Sequence, residues 1–313
     1  MYSFIYNQII NSSGERVSQK IKFLFYSSIK KIILKYKDPL IDFTLWGSKM
    51  KIPFSYNLPL IIKNYPYYNS NLLRISLYIK EKYNNLNFID IGANIGDTVA
   101  LLRSKNDLPL LCIEGDRTFF EILKKNTELF SNIELANTFL GESEDIINAK
   151  LSSNLGTGSI VDSTKHKLET VSLDTLLKKF PPFQNSKLIK IDTDGFDFKI
   201  LRGSKNYLNQ IHPAVFIEYD PLFQKLHNED PYFIFEYLET FGYSKVIFYD
   251  NFGDYLISLS LNEKEKISEL TSYFTNRGSL KYCDLCFFHK EDEDIFNTTR
   301  ERELEFFLSN RKN

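Results

Sequence analysis

The chain has 313 residues, 43% hydrophobic and 15% aromatic, which is enough apolar material for one large core with additions. Its 39 basic and 40 acidic residues leave a net charge of -1, so no global field recruits nucleic acid and any charged partner must meet a local patch. Three cysteines, Cys112, Cys283 and Cys286, are too few and too uneven for a secreted disulfide framework and point to a reducing cytoplasm.

The opening residues lack the basic start and apolar run of a signal peptide, and no stretch approaches the ~20 apolar residues that span a bilayer. A soluble protein is expected, or at most one peripheral at the inner face of the membrane. From Lys20 to Lys37, KIKFLFYSSIKKIILKYK alternates apolar pairs with lysines at helical spacing and predicts a basic amphipathic helix. Such a helix either caps the core with its lysines solvated or attaches to an anionic membrane or a partner. Phe43 to Ile62 carries β-branched and aromatic residues around Gly47 and reads as a hairpin on the lid or substrate side.

A helix is expected over Asn71–Tyr83, and after it the periodicity changes. Short apolar runs then alternate with helical patterns, which is the signature of βα units and a doubly wound α/β domain with a parallel sheet. Strands are predicted at Asn87–Ile91, Leu110–Glu114, Ile133–Phe139, Leu188–Asp192, Ala214–Tyr219, Lys245–Tyr249 and Tyr282–His289. Helices fill the gaps, notably Thr118–Phe130, Leu173–Phe180, Phe196–Leu208 and Tyr232–Phe241. The organisation is an N-terminal extension over 1–70, a main domain over 71–290 and a charged tail over 291–313.

In Phe88-Ile-Asp-Ile-Gly-Ala-Asn-Ile-Gly96 the first strand runs into a turn bracketed by Gly92 and Gly96, with Asn94 between them and a helix starting near Asp97. Glycines suit a backbone that must bend with positive φ while a ligand lies against it. The second strand ends in Glu114, placed ~20 residues on to accept hydrogen bonds from ribose hydroxyls. Together they read as a nucleoside site. A dinucleotide fold prefers G-x-G-x-x-G, whereas this turn has the spacing G-x-x-x-G beside Asp90. An anionic pyrophosphate is less welcome there than the ammonium and sulfonium of S-adenosylmethionine.

The fourth strand brings Asp192, Asp194 and Asp197 to the same crevice. Asp192 and Asp194 are placed to contact an ammonium, orient an acceptor hydroxyl or take its proton, and Asp197 reads as a helix-start residue. The fifth strand adds Glu218 and Asp220, suited to hydrogen bonding with a polyhydroxylated substrate. Adjacent carboxylates also suit a hard metal, but no histidine or ligand spacing accompanies them and no metal is expected. Cys283 and Cys286 are half of a metal clip without a second pair, and on a strand they face opposite sides. His212 and His227, near the fifth strand, have no fixed partner in the sequence and read as ordinary hydrogen-bonding residues.

These segments resemble the FkbM-type family of S-adenosylmethionine-dependent methyltransferases over approximately Phe43 to His289. The matching pieces are YNLPLIIKNYPYYNSNLLR, FIDIGANIGDTVALL, CIEGD, TVSLDTLL and LIKIDTDGFDFKILRGS. The resemblance implies a class I methyltransferase (Rossmann-like) fold: a mostly parallel seven-stranded sheet with an antiparallel last strand. It also implies methyl transfer to oxygen, often on a sugar, glycan or glycolipid precursor. Carried over by position, Asp90, Gly92 and Gly96 border the methionine part, Glu114 holds the ribose and Glu142 lies near the adenine, with Asn94 and Asp192 also among the cofactor-binding residues. The family's Asp-x-Glu-Gly stands here as Asp192-Thr193-Asp194-Gly195, leaving Asp194 with a shorter reach as base or acceptor-binding group. Two rivals remain: an NAD-dependent sugar-modifying oxidoreductase, and a degenerate domain that acts as a partner-binding scaffold.

Overall fold

The computed structural model describes residues 1–154, 157–162, 167–193, 195–276 and 282–310. The chain opens with α1 (Tyr2–Ser12) and α2 (Val17–Leu34), followed by β1 (Leu40–Leu45) and β2 (Ser48–Pro53). The hairpin forms a few residues earlier than expected because Trp46 and Gly47, at φ 44° and 86°, supply the two left-handed positions of a tight turn. The remainder of the expected hairpin is helical instead: α3 (Leu58–Asn64) starts with a proline in its first turn, and α4 (Ser70–Lys82) follows.

The βα alternation then runs as expected through β3 (Phe88–Ile91), α5 (Asp97–Arg103), β4 (Leu110–Glu114), α6 (Arg117–Thr127) and β5 (Ile133–Asn137). A run of short strands that the periodicity did not announce comes next: β6 (Phe139–Leu140), β7 (Asp145–Ile147), β8 (Ala149–Asn154), β9 (Thr157–Asp162) and β10 (Leu168–Val171). After α7 (Leu173–Leu176) and β11 (Leu188–Ile191), the helix expected at Phe196–Leu208 is two helices, α8 (Asp197–Arg202) and α9 (Lys205–Ile211). The break is held from outside, because Asp174 accepts from the backbone N–H groups of Asn206 and Tyr207 at 2.8 and 2.9 Å.

The chain closes with β12 (Ala214–Tyr219), α10 (Pro221–Leu226), α11 (Phe233–Thr240), β13 (Tyr243–Asp250), β14 (Tyr255–Ser260), α12 (Lys264–Asn276), β15 (Cys283–His289) and α13 (Glu293–Asn310). The expected charged tail is therefore helical over most of its length. α13 buries Ile295, Phe296, Thr299 and Glu303, and Glu303 accepts from the Arg74 guanidinium on α4 at 2.6 and 2.7 Å.

Eight strands form the main sheet in the order β14-β13-β15-β12-β11-β3-β4-β5. Strands β3, β4, β5, β11 and β12 pair in parallel, and β15 runs antiparallel to both β12 and β13. The expected seven strands are thus present with their antiparallel last member, and the hairpin partner β14 adds an eighth at the edge. β3 and β11 are buried at every position, as strands covered on both faces must be. Ile89, Ile91, Ile189 and Ile191 pack one way toward α8, α9 and α11, while Phe88, Leu110, Leu188 and Phe288 pack the other way toward α4, α5 and α13. Cys283 and Cys286 fall on opposite faces, buried and unbridged. A third apolar cluster joins α1, β1 and β2 to Ile95, Ala100, Phe119 and Ile122, so the N-terminal extension rests on α5 and α6.

Candidate active site

The order reverses beside β3, where one chain direction leaves toward β4 and the other toward β11. In open α/β sheets the crevice at such a point, outside the carboxyl ends of the strands, takes the ligand. Here the turn after β3 is built into it. Gly92 (φ +80°) carries no side chain because a Cβ would stand 1.8 Å from the carbonyl oxygen of Asp192. Its N–H and that of Ala93 both donate to the Ile113 carbonyl, at 3.0 and 3.1 Å, which pins the turn to β4. Asn94 takes a left-handed conformation (φ 48°) and donates its N–H to Glu114 at 2.8 Å. Gly96 (φ +87°) caps α5, with the tip of Leu123 packed 2.9 Å from where a Cβ would be. The glycines are thus fixed by neighbouring chain segments, and Asn94 is the residue of the turn that meets the acid of the second strand.

A cavity of about 520 Å³ opens here, in the size range of small-molecule and cofactor sites. Its floor is Ile91, Gly92 and Asn94 after β3, Ile113 to Asp116 after β4, and Thr138, Phe139 and Leu140 after β5. Glu114 also accepts from the Asp116 N–H at 2.7 Å, so each of its oxygens already holds one backbone donor. Burial pushes the Glu114 carboxyl up to about 7, outweighing the two N–H groups that favour its ionised form.

The β11 side carries a group that the motif reading passed over. Lys190 projects from the middle of the strand and its ammonium lies 3.0 Å from Asp192 and 3.5 Å from Asp90. Burial works against this charge, yet Asp192, Asp90 and Asp97 together hold Lys190 well above its ordinary value. Asp90 itself is completely buried, and that burial raises its carboxyl against the pull of Lys190. Asp97 is pushed up to about 6, again mainly by burial.

The opposite wall comes from the N-terminal extension, with Tyr56, Asn57, Leu58, Ile61 and Tyr68, and from Glu218 and Tyr282 at the ends of β12 and β15. Burial and then the Asp97 charge hold the Tyr56 phenol well above its usual value. Burial likewise raises Tyr68, against a hydrogen bond shared with Tyr282. Asp284 pairs with Glu218 across β15 and β12, and burial with the nearby Asp192 pushes its carboxyl up to about 8.

Of the expected site residues, Gly92, Asn94, Glu114, Asp192 and Glu218 line one cavity. Asp90 lies beneath it, bound into the Lys190 pair and outside the lining. Gly96 faces α6. Glu142 is not among the lining residues; its exposed carboxylate accepts from Arg202 at 2.7 Å. Asp194 lies outside the described residues. Asp197 turns back from the start of α8 and accepts from the N–H groups of Thr193 and Gly195 at 2.9 and 3.1 Å, fixing the loop after β11. His212 stacks on His289 at 3.7 Å, at the other end of β12 from Glu218. Lys190, Asp97 and Tyr282 also line the cavity, and the motifs do not point to them. Only Lys190 had a sequence signal, as a lone cation inside an apolar strand.

The strand order with β15 reversed between β12 and β13, and the crevice over β3, β4 and β11 with an acid closing β4, define a class I methyltransferase fold. Residues 90–245 match the family model of the methyltransferase FkbM domain, and the chain carries a methyltransferase domain of that family. No curated protein matches the sequence. Among solved structures, the chain is similar to methyltransferase FkbM from Methylobacillus flagellatus KT, at 13% identity and a TM-score of 0.41, over 91% of this chain and 58% of that one. The chain therefore spans little more than half the length of that protein. The METTL16 methyltransferase domain aligns at 13% identity and a TM-score of 0.46, over 92% of each chain. TYW2 from M. jannaschii in complex with AdoMet aligns at 12% identity and a TM-score of 0.37, over 81% of this chain and 88% of that one.

Proposed function

We propose that the protein is an S-adenosylmethionine-dependent O-methyltransferase that acts on a hydroxyl of a sugar, glycan or glycolipid precursor. The observation that carries this reading is the charge of the cavity: Glu114, Asp116, Asp97, Asp192 and Glu218 face a space whose one lining cation, among the described residues, is Lys190. A ligand with an ammonium and a sulfonium fits that balance, and the pyrophosphate of NAD does not. The residues present also fit the donor by type. Glu114 is fixed by two backbone N–H groups with lone pairs to spare for ribose hydroxyls, and Phe139 and Leu140 offer an apolar slot for a base.

When bound, the donor supplies an activated cationic methyl group, so the protein's main task is alignment. Tyr56, Tyr68 and Tyr282 enclose the acceptor side, exclude water and present hydroxyls and ring faces to a sugar. In this reading Asp192 accepts the proton of the attacking hydroxyl at its carboxylate, with Lys190 holding the carboxylate in place, and Glu218 bonds a neighbouring hydroxyl of the acceptor. Incubation with labelled donor and fractionated glycans, lipids, proteins and small molecules tests it: label is expected in the glycan or glycolipid fraction. Calorimetric binding of NAD in preference to S-adenosylmethionine would sink the reading.

A further inference from the structure

Helix α2 has two apolar faces. Phe23, Tyr26, Ile29, Ile33 and Leu34 pack onto the N-terminal cluster. The second face carries Val17, Ile21, Leu24, Phe25 and Ile32, spaced at helical intervals and exposed from 59% at Ile32 to 74% at Val17. Single exposed hydrophobic side chains are ordinary, but five in one stripe call for a cover. No residue of this 18-residue helix is fully buried.

The charges around the stripe say what covers it. Residues 17–37 contain six lysines and no aspartate or glutamate, in a chain whose net charge is -1. Five of them, Lys20, Lys22, Lys31, Lys35 and Lys37, are exposed. By helical position Lys20 and Lys31 border the stripe on one side and Lys22 on the other, and Lys35 follows the stripe at the C-terminal end of the helix. We infer that α2 seats the protein on an anionic lipid bilayer, with the stripe at the boundary of headgroups and acyl chains and the lysines at the level of the phosphates. A second copy of the chain is the poorer cover, because it would set one lysine-rich face against another.

The sixth lysine ties this surface to the cavity. Lys30 points the other way and donates to the Ser55 carbonyl and to Asn57 at 3.3 and 3.2 Å, and Asn57 lines the cavity. Docking on α2 thereby sets the acceptor wall beside the bilayer, where a lipid-linked acceptor lies. That last step rests on the methyltransferase reading, whereas the docking does not.

Co-sedimentation of the full chain with vesicles, without donor, tests the docking alone. Binding is expected to phosphatidylcholine–phosphatidylglycerol vesicles, to fall with added salt, and to be absent with phosphatidylcholine alone. Leu24→Gln with Phe25→Gln should weaken it more than ~10-fold, given what burial of two such side chains contributes. Lys20→Gln, Lys31→Gln and Lys35→Gln should weaken it about fivefold each. These positions are exposed, so unchanged thermal melting confirms that the variants fold. The inference is overturned if the protein stays in the supernatant, binds both vesicles equally, or binds unchanged after the stripe is replaced. It is also overturned if light scattering shows a dimer that the stripe variant dissolves, since the stripe would then be a contact between copies.

Discussion

Lys190 stands opposite Asp90 across the β3–β11 pairing, its ammonium 3.5 Å from the Asp90 carboxylate, with both side chains buried. Lys190 lines the cavity and Asp90 lies beneath it, and the pair joins the two strands that meet at the reversal point. Removing one partner leaves the other charge buried and alone, which costs roughly 3–5 kcal/mol. Lys190→Met should therefore lower the stability measured by urea denaturation by that amount. Adding Asp90→Asn should recover part of the loss, because Asp90 is then neutral while Asp192 and Asp97 still lack the Lys190 charge.

Glu114 ties the cofactor reading to pH. Its carboxyl is raised from the ordinary range to about 7, so the protonated form persists near neutrality and the carboxylate fraction grows as pH rises through that value. Calorimetric affinity for S-adenosylmethionine should accordingly rise between about pH 6 and pH 8 and level off above. Glu114→Gln should lose this dependence and roughly 10- to 100-fold in affinity, since an amide turns an N–H toward one of the two backbone donors now bound.

The sequence disclosed these two sites unequally, for a physical reason. Glu114 meets Asn94 because a strand, a turn and the next strand are local units whose geometry follows from hydrophobic period and turn chemistry. The role of Lys190 depends on β11 lying beside β3, a pairing of residues 100 positions apart, so a lone cation in an apolar strand does not reveal its partner. Glu142 likewise has its partner far along the chain, since Arg202 is 60 positions away. The main strands were legible from their apolar runs, whereas β8 and β9 mix polar and apolar residues without a sustained apolar run and β7 is three residues long.

Gly92 and Gly96 should respond differently to the same substitution. Both adopt a left-handed conformation that costs a residue with a side chain roughly 1–2 kcal/mol. Gly92→Ala also drives a Cβ to 1.8 Å from the Asp192 backbone, which cannot yield without parting β3 from β11. Its expected loss is roughly 2–5 kcal/mol with reduced donor binding. Gly96→Ala meets only the movable tip of Leu123, so its loss should stay near the backbone term. Denaturant midpoints of the two variants check the order.

The last helix reads as a charged tail yet carries a buried carboxylate. Glu303 is fully covered and forms a two-point pair with Arg74, whose guanidinium stacks 3.7 Å from the centre of the Phe306 ring. Its sequence hides this because the α13 residues that face the core are spaced three and four apart but include a threonine and a glutamate. Glu303→Ala should destabilise by roughly 3–5 kcal/mol in urea denaturation. A chain ending at His289 should fail to fold, since Ile295 and Phe296 complete one face of the main core.

Asp192 and Glu218 line the same cavity from adjacent strands, and kinetics can separate their proposed roles. A general base contributes typically 10²- to 10⁴-fold to the chemical step. Asp192→Asn should lower kcat about 100-fold or more while leaving KM for the acceptor within about threefold, because the hydroxyl still binds but loses its proton acceptor. Glu218→Gln should instead raise the acceptor KM roughly 10-fold with kcat little changed, as expected when one hydrogen bond to a charged group is lost. Asp192 is also paired with Lys190, so the asparagine variant needs a denaturation curve beside its kinetics. If both variants change KM alone, the proton leaves without help from either carboxylate, and catalysis rests on alignment of donor and acceptor by the cavity walls.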